Sequence, residues 1–295
     1  MIMNFLKNPS KIVKFKYLLI ILLFSPIVSK SAETLLWRVS SEKGVVYMLG
    51  SIHLADSSLY PLHPAIESSF EESDALVLEI VIDKISPMEI MNYLTFKDER
   101  TLESELEPGL FKKIAQRFEA NNIPRFLYNK FKPWFAVMYL QSDSYKSSGF
   151  SAAEGIDMYF LDKARKNNKE VMEIESLKSQ MELMDELGEF TGDYLQFMVD
   201  ELDSSDDAIK EIINAWKSGD DKIIEKLSNQ GSENKEFALV MEKLNYKRNE
   251  KMVEKIIDYL NQDKTYFVVV GAAHLIGERG VINLLENNGY KIKRF

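Results

Sequence analysis

Two short apolar runs near opposite ends of the chain break off at the same signal. "VVYMLGSIH" leads from Val45 through Gly50 to His53, and "YFVVVGAAH" leads from Tyr266 through Gly271 to His274. Runs this short, rich in Val, Tyr, Phe and Met, read as strands. The chain has only three histidines in 295 residues, and two of them stand three positions after a glycine that closes a strand. For these histidines to act together, both ends of the chain must enter one sheet, side by side and parallel.

The rest of the sequence fits that demand. "TLLWRVS" reads as a strand that turns through "SEKG" into "VVYMLGS". Pro61 to Glu72 carries Leu62, Ile66 and Phe70 at helical spacing. "ALVLEIVI" is a continuous apolar strand broken at Glu79, of the kind covered on both faces in α/β proteins. From Pro87 to about Asn168 the pattern is mostly helical, with helices in "PGLFKKIAQRFEANNI", "KPWFAVMYLQSDSY" and "GIDMYFLDKARKNNK", before "EVMEIES" returns to strand. Residues 177–262 are helical and acidic, and "TYFVVVGAAH", "GERGVINLLENNG" and "YKIKRF" close the chain as strand, helix and strand. The expected fold is α/β: a mixed or mostly parallel central sheet formed by the N- and C-terminal segments. A long helical middle region covers it, with the helical insertion at about 177–262.

Residues 1–31 read as a secretory signal peptide. Lys7, Lys11, Lys14 and Lys16 precede the apolar "YLLIILLFSPIV" and the small, polar "SKSAE", an apolar core too short for a typical membrane span. Residues 32–295 are then an extracytoplasmic domain, periplasmic or secreted, with no stable membrane span after signal removal; an uncleaved anchor is the alternative. The absence of cysteine excludes disulfides and thiol chemistry. A net charge of −9 argues against nucleic acid as a partner, because neutralising phosphates needs a basic face.

In open α/β sheets ligands gather beyond the carboxyl ends of the strands. His53, His274 and the strand residue Glu79 share that position, and two imidazoles with a carboxylate suit a divalent metal that keeps places for water and substrate. A carboxylate or histidine left off the metal would serve as a general base. Gly50 and Gly271 offer sharp turns off their strands, with positive φ available and backbone N–H groups for a substrate oxyanion. Structural readings stand beside these. A histidine after a strand is commonly a hydrogen-bonding group, and His63 in "YPLHPAI" suits a helix cap. Ser51 and Ser57 lie near His53, yet "GFSAA" lacks the last glycine of a Gly-x-Ser-x-Gly elbow. No Gly-x-x-x-x-Gly-Lys, Gly-x-Gly-x-x-Gly or His-Glu-x-x-His occurs.

"YMLGSIHLAD", "ALVLEI", "KPWFAVMYL", "GIDMYFLDKARKNNKEVMEIESLKSQMELM" and "VVVGAAHLIGERGVINLLENNGYKIKRF", in this order, resemble the TraB/GumN family, which includes the TIKI metalloproteases and PrgY. The resemblance implies an α/β core related to erythromycin esterase-like and ChaN-like proteins, and a catalytic, metal-holding site of His53, Glu79 and His274. It implies manganese or cobalt, with zinc also possible, and a peptide or protein substrate. Gly155 and Asp157 match a recurrent pair, with Asp157 a ligand or a partner that orients one, or else a helix-start charge; Glu154 beside it is open in the same way. Glu175 and Gln180 match a spaced pair after a strand, and Glu175 lines the crevice or starts a helix. Gly50, Ser51 and Gly271 complete the group expected to bind substrate or support the site. The function implied is a secreted metal-dependent hydrolase resembling the TIKI peptidases. The alternatives are a non-catalytic binder of a peptide or haem-like ligand in the same crevice, and a metal-independent esterase.

Overall fold

The computed structural model describes residues 33–82, 85–188, 192–203, 205–232 and 234–295, so the expected signal peptide lies outside the described residues. Six strands form one mixed sheet: β1 (Leu36–Ser40), β2 (Val45–Ser51), β3 (Ala75–Leu78), β4 (Glu170–Glu173), β5 (Thr265–Gly271) and β6 (Lys291–Arg294). Their order across the sheet is β4-β3-β5-β2-β1-β6. β2, β5, β3 and β4 run parallel, whereas β1 is antiparallel to both β2 and β6. The two glycine-histidine strands are therefore parallel neighbours, with Ser51 opposite Gly271.

The central strands β2, β5 and β3 are buried on both faces. Every residue of β3 is buried, as are Tyr266 to Val270 of β5. β3 is shorter than its apolar run suggests. Its ladder to β5 ends with Leu78 opposite Val269, because the Gly271 N–H turns from the ladder to the Glu79 carboxylate, at 2.7 Å.

Residues 177–262 do more than shield the sheet. Ile209, Ile213 and Trp216 from one helix, and Met252, Val253, Ile256 and Leu260 from Lys247–Leu260, belong to the same core as the strands. Trp216 donates its indole N–H to the Gly50 carbonyl at 2.6 Å. A second apolar cluster forms among the helices around Phe111, Phe118, Tyr128, Phe131 and Leu140, joined by Leu195 and Val199. His63 caps the helix Pro64–Glu72, accepting from the Ala65 N–H.

Candidate functional site

The parallel neighbours β2, β5 and β3 deliver His53, His274 and Glu79 to one crevice. Gly271 marks its floor. A methyl group on Gly271 would stand 3.4 Å from Glu79 Oε1, 3.6 Å from His274 Cδ2 and 3.9 Å from His53 Nε2. The glycine thus leaves open the space on which the three side chains converge. Its φ is −50° and Gly50 lies inside β2. Neither uses the positive φ expected of it, and what both provide is room: a Cβ on Gly50 would stand 3.1 Å from Ala272 Cα. Their N–H groups also do not form an oxyanion hole. Gly271 donates to Glu79 and Gly50 to the Leu35 carbonyl, at 2.8 Å.

Each of the three side chains is held by a partner. His53 Nδ1 lies 2.8 Å from Asp157 Oδ2, and Ser51 Oγ donates to Asp157 Oδ1 at 3.1 Å. Asp157 sits in the first turn of the helix Ile156–Lys166, so it is both a helix-start charge and the residue that orients His53. Ser51 is buried with its hydroxyl engaged, a poor position for a nucleophile. The Asp157 carboxylate raises the His53 pKa to about 9 against the effect of burial, although the ring is 64% exposed and water screens part of that attraction.

His274 is buried, and its Nδ1 lies 2.7 Å from Asn249 Oδ1. Asn249 Nδ2 donates to the Arg279 carbonyl at 2.8 Å. That bond fixes the amide orientation, so His274 carries its proton on Nδ1 and turns a bare Nε2 lone pair into the crevice. Burial drives the His274 pKa down to about 4. The Nε2 lone pair faces Glu79 Oε1 at 3.9 Å.

Burial pushes the Glu79 carboxyl up, but attraction to His274, Arg248 and His53 and the Gly271 N–H overcome it, holding the pKa at about 2. With His274 neutral near pH 7, Arg248 and the protonated His53 supply that attraction there, Arg248 ahead of His53. Its guanidinium donates to Glu79 Oε2 at 2.6 Å and to both Glu175 oxygens, and Gln180 bridges Glu79 and Glu175. Glu175 therefore lines the crevice as Arg248's second anion. Glu154 is placed elsewhere: its carbonyl accepts from Tyr60, and it lines a separate cavity with Tyr60 and Tyr159.

Arg248 and Asn249 were not foreseen from the sequence. Asn249 falls in register with Met252, Val253, Ile256 and Leu260 on the buried face of its helix, and a polar residue on an otherwise apolar stripe is the signal that could have found it.

Two imidazole nitrogens and a carboxylate oxygen around a floor without a side chain are chemically suited to a divalent cation. Among the described residues, no three His, Asp or Glu side chains stand closed around a point in metal-holding geometry. The donor types fit a metal, then, while their arrangement here is open.

These ionisations fix a pH profile for stability in the absence of metal. His274 has a folded pKa of about 4 against an ordinary 6.5, so between those values the unfolded chain binds more protons and acid destabilises the fold. Glu79, at about 2 against 4.5, adds the same effect lower down. His53, raised from 6.5 to about 9, acts oppositely: its contribution is complete below pH 6.5 and fades as pH rises through 9. The melting temperature in EDTA is expected to peak near pH 6.5, with an acid limb that flattens in His274→Gln. Equal or higher stability at pH 5 than at pH 6.5 would refute this assignment.

The sequence pattern of the TraB/PrgY/gumN family matches residues 35–294. A metalloprotease TIKI homolog of Amphimedon queenslandica is 25% identical over 317 residues, covering 88% of this chain and 61% of the relative. Metalloprotease TIKI2 of Xenopus tropicalis is 43% identical over 54 residues, 18% of this chain and 10% of that protein. The uncharacterized protein YbaP of Escherichia coli is 26% identical over 139 residues, 47% of this chain and 51% of YbaP. The chain thus spans about three-fifths of the Amphimedon queenslandica relative. No solved structure matches it significantly. Among the described residues, no helix is long and apolar enough to cross a membrane.

Proposed function

The chain belongs to the TraB/PrgY/gumN family, and from that premise we propose that it is a metal-dependent hydrolase of peptides or proteins working outside the cytoplasm. One observation carries the reading. The bare Nε2 of a neutral, buried histidine faces an ionised carboxylate oxygen at 3.9 Å over a glycine floor. Two acceptors in that relation call for a cation or a proton donor between them.

His274, Glu79 and His53 would hold the metal, with manganese, cobalt and zinc as the candidates. When bound, it would supply an acidified water and polarise the scissile carbonyl. The remaining work belongs to the chain. Asn249 keeps the His274 proton on Nδ1. Arg248 and Gln180 occupy Glu79 Oε2, leaving Oε1 to face the crevice. Asp157 orients His53 and favours its protonated form, so His53 joins a metal only by losing its Nε2 proton, and metal capture strengthens with pH. Asp157 and Arg248 are positioning residues; neither touches the reacting group. The secretory character of residues 1–31 supports a reaction beyond the membrane.

A metal-independent esterase is the second reading, favoured by the His53–Asp157 pair, a histidine oriented by a carboxylate as in acyl-transfer enzymes. The raised His53 pKa counts against it, because a general base should be neutral at working pH.

The test is cleavage of a peptide library by the purified full chain with Mn²⁺, Co²⁺, Zn²⁺ or EDTA, beside a His53→Ala, His274→Ala protein. Cleavage is expected with one of the metals, and neither in EDTA nor in the double variant. Hydrolysis that survives EDTA but not loss of His53 would transfer the assignment to the esterase. No cleavage by folded protein under any condition would sink both.

A further inference from the structure

A groove of about 680 Å³ runs outward from the crevice between the helices Leu177–Gly188 and Lys247–Leu260. Its inner end is the Arg248–Glu175–Gln180 network that holds Glu79. Lys247, Lys251 and Lys255 line one wall, all exposed.

The charges in the groove are unequally matched. Glu175 is paired with Arg248, Glu182 with Lys178 at 3.7 Å, and Glu186 with Lys243 at 3.4 Å. Lys247, Lys251 and Lys255 form no ion pair among the described residues, and Glu254 is the lining carboxylate left without one. In a chain of net charge −9, the wall leading into the crevice is locally cationic.

Spacing narrows what would fit. Residues four apart on a helix lie about 6 Å apart along its axis. In an extended peptide, alternate side chains share one face and repeat about every 6.7 Å. Three carboxylates at every second position of an extended strand therefore come into near register with the lysine row.

We propose that this groove binds an extended peptide segment carrying Asp or Glu at alternate positions, and that this is the substrate class presented to the crevice. The proposal rests on the hydrolase reading for the cleavage step, but not for binding itself. A nucleic acid is a weaker fit, because among the described residues the groove lining includes no aromatic side chain on which a base could stack.

The test is fluorescence anisotropy with the full chain in EDTA, so that binding is read apart from cleavage. The probes are a labelled nine-residue alternating Glu/Ser peptide, a peptide of the same composition with its glutamates contiguous, a Gln/Ser analogue and a single-stranded oligonucleotide of equal charge. The alternating peptide should bind about tenfold more tightly than the Gln/Ser analogue and weaken as salt rises. Lys247→Gln, Lys251→Gln, Lys255→Gln should lose that advantage, and the corresponding Lys→Arg protein should keep it. Equal affinity for the alternating and neutral peptides, or for the alternating and contiguous ones, overturns the proposal. So does unchanged binding in the glutamine variant, or tighter capture of the oligonucleotide. Cleavage without this selectivity would leave the hydrolase reading standing, and selective binding without cleavage would leave the groove standing.

Discussion

Arg248→Met is expected to lower the melting temperature by roughly 6–20 °C, the equivalent of about 3–5 kcal/mol for a domain of this size. The guanidinium bonds to Glu79 and Glu175, whose side chains are only 11% and 12% exposed. Removing it leaves two buried carboxylates bridged by Gln180, with the protonated His53 as the remaining positive charge acting on Glu79. The cost is that of orphaned charges and not of one lost contact, so a second substitution should return part of it: Arg248→Met with Glu175→Gln should be more stable than Arg248→Met alone. The same change should raise the Glu79 pKa from about 2, readable as a carboxyl resonance titrating at higher pH. A loss below about 2 °C would mean that solvent reaches the pair and that the network does not organise the crevice.

Gly155→Ala is expected to destabilise the protein by about 1–3 kcal/mol and to loosen His53. Gly155 has φ −67° and ψ 151°, a conformation alanine accepts readily, so the effect comes from contact. The added methyl would collide with the His53 backbone carbonyl and stand 3.1 Å from that of Ala152, and backbone atoms cannot rotate aside as a flexible side chain does. Nearby, Ile156 N–H donates to the Ile52 carbonyl, and Ala55 and Ser151 exchange backbone bonds, so the loop carrying His53 is fastened along its length to the segment carrying Asp157. Forcing them apart should weaken the His53–Asp157 bond and bring the His53 pKa from about 9 towards 6.5, as seen by imidazole NMR. Gly109→Ala, where a methyl meets nothing within 4 Å, is the control and should be neutral or stabilising. A Gly155→Ala protein with wild-type stability and an unshifted His53 would show that the loop moves freely.

The elements whose signals are local were legible from the sequence. The strands around Val46–Leu49 and Phe267–Val270 read directly from their apolar runs, whereas their parallel pairing was a condition for the two histidines to meet and is supplied by the sheet order. Asp157 was visible but ambiguous, because an acidic residue in a first helical turn has a sufficient local reason to be there. Arg248 was invisible for another reason: in a helix rich in lysine and glutamate, one more cation has no local signature, and only tertiary packing gives it two carboxylates. Glu154, open between a site role and a structural one in the sequence, shows the opposite limit. Its neighbour Gly155 is pinned against the His53 loop, yet the chain turns there and faces Glu154 into another cavity. At Gly50 and Gly271 the sequence suggests torsional freedom where the structure uses space, since sequence reveals that a side chain is missing and not whether torsion or space required it.

The sheet order also sets when the crevice can exist. β2, which precedes His53, pairs with β5, whose Thr265–Gly271 segment leads to His274, and Arg248 and Asn249 come only shortly before β5. A growing chain stopped before residue 247 holds His53, Glu79, Asp157 and Glu175 but neither His274 nor the cation that steadies Glu79. Contacts this distant along the chain form slowly. Synthesis, and any passage across a membrane, would have to carry the chain beyond residue 274 before the site's parts could meet, so the crevice stays unassembled until β5 has emerged and paired with β2.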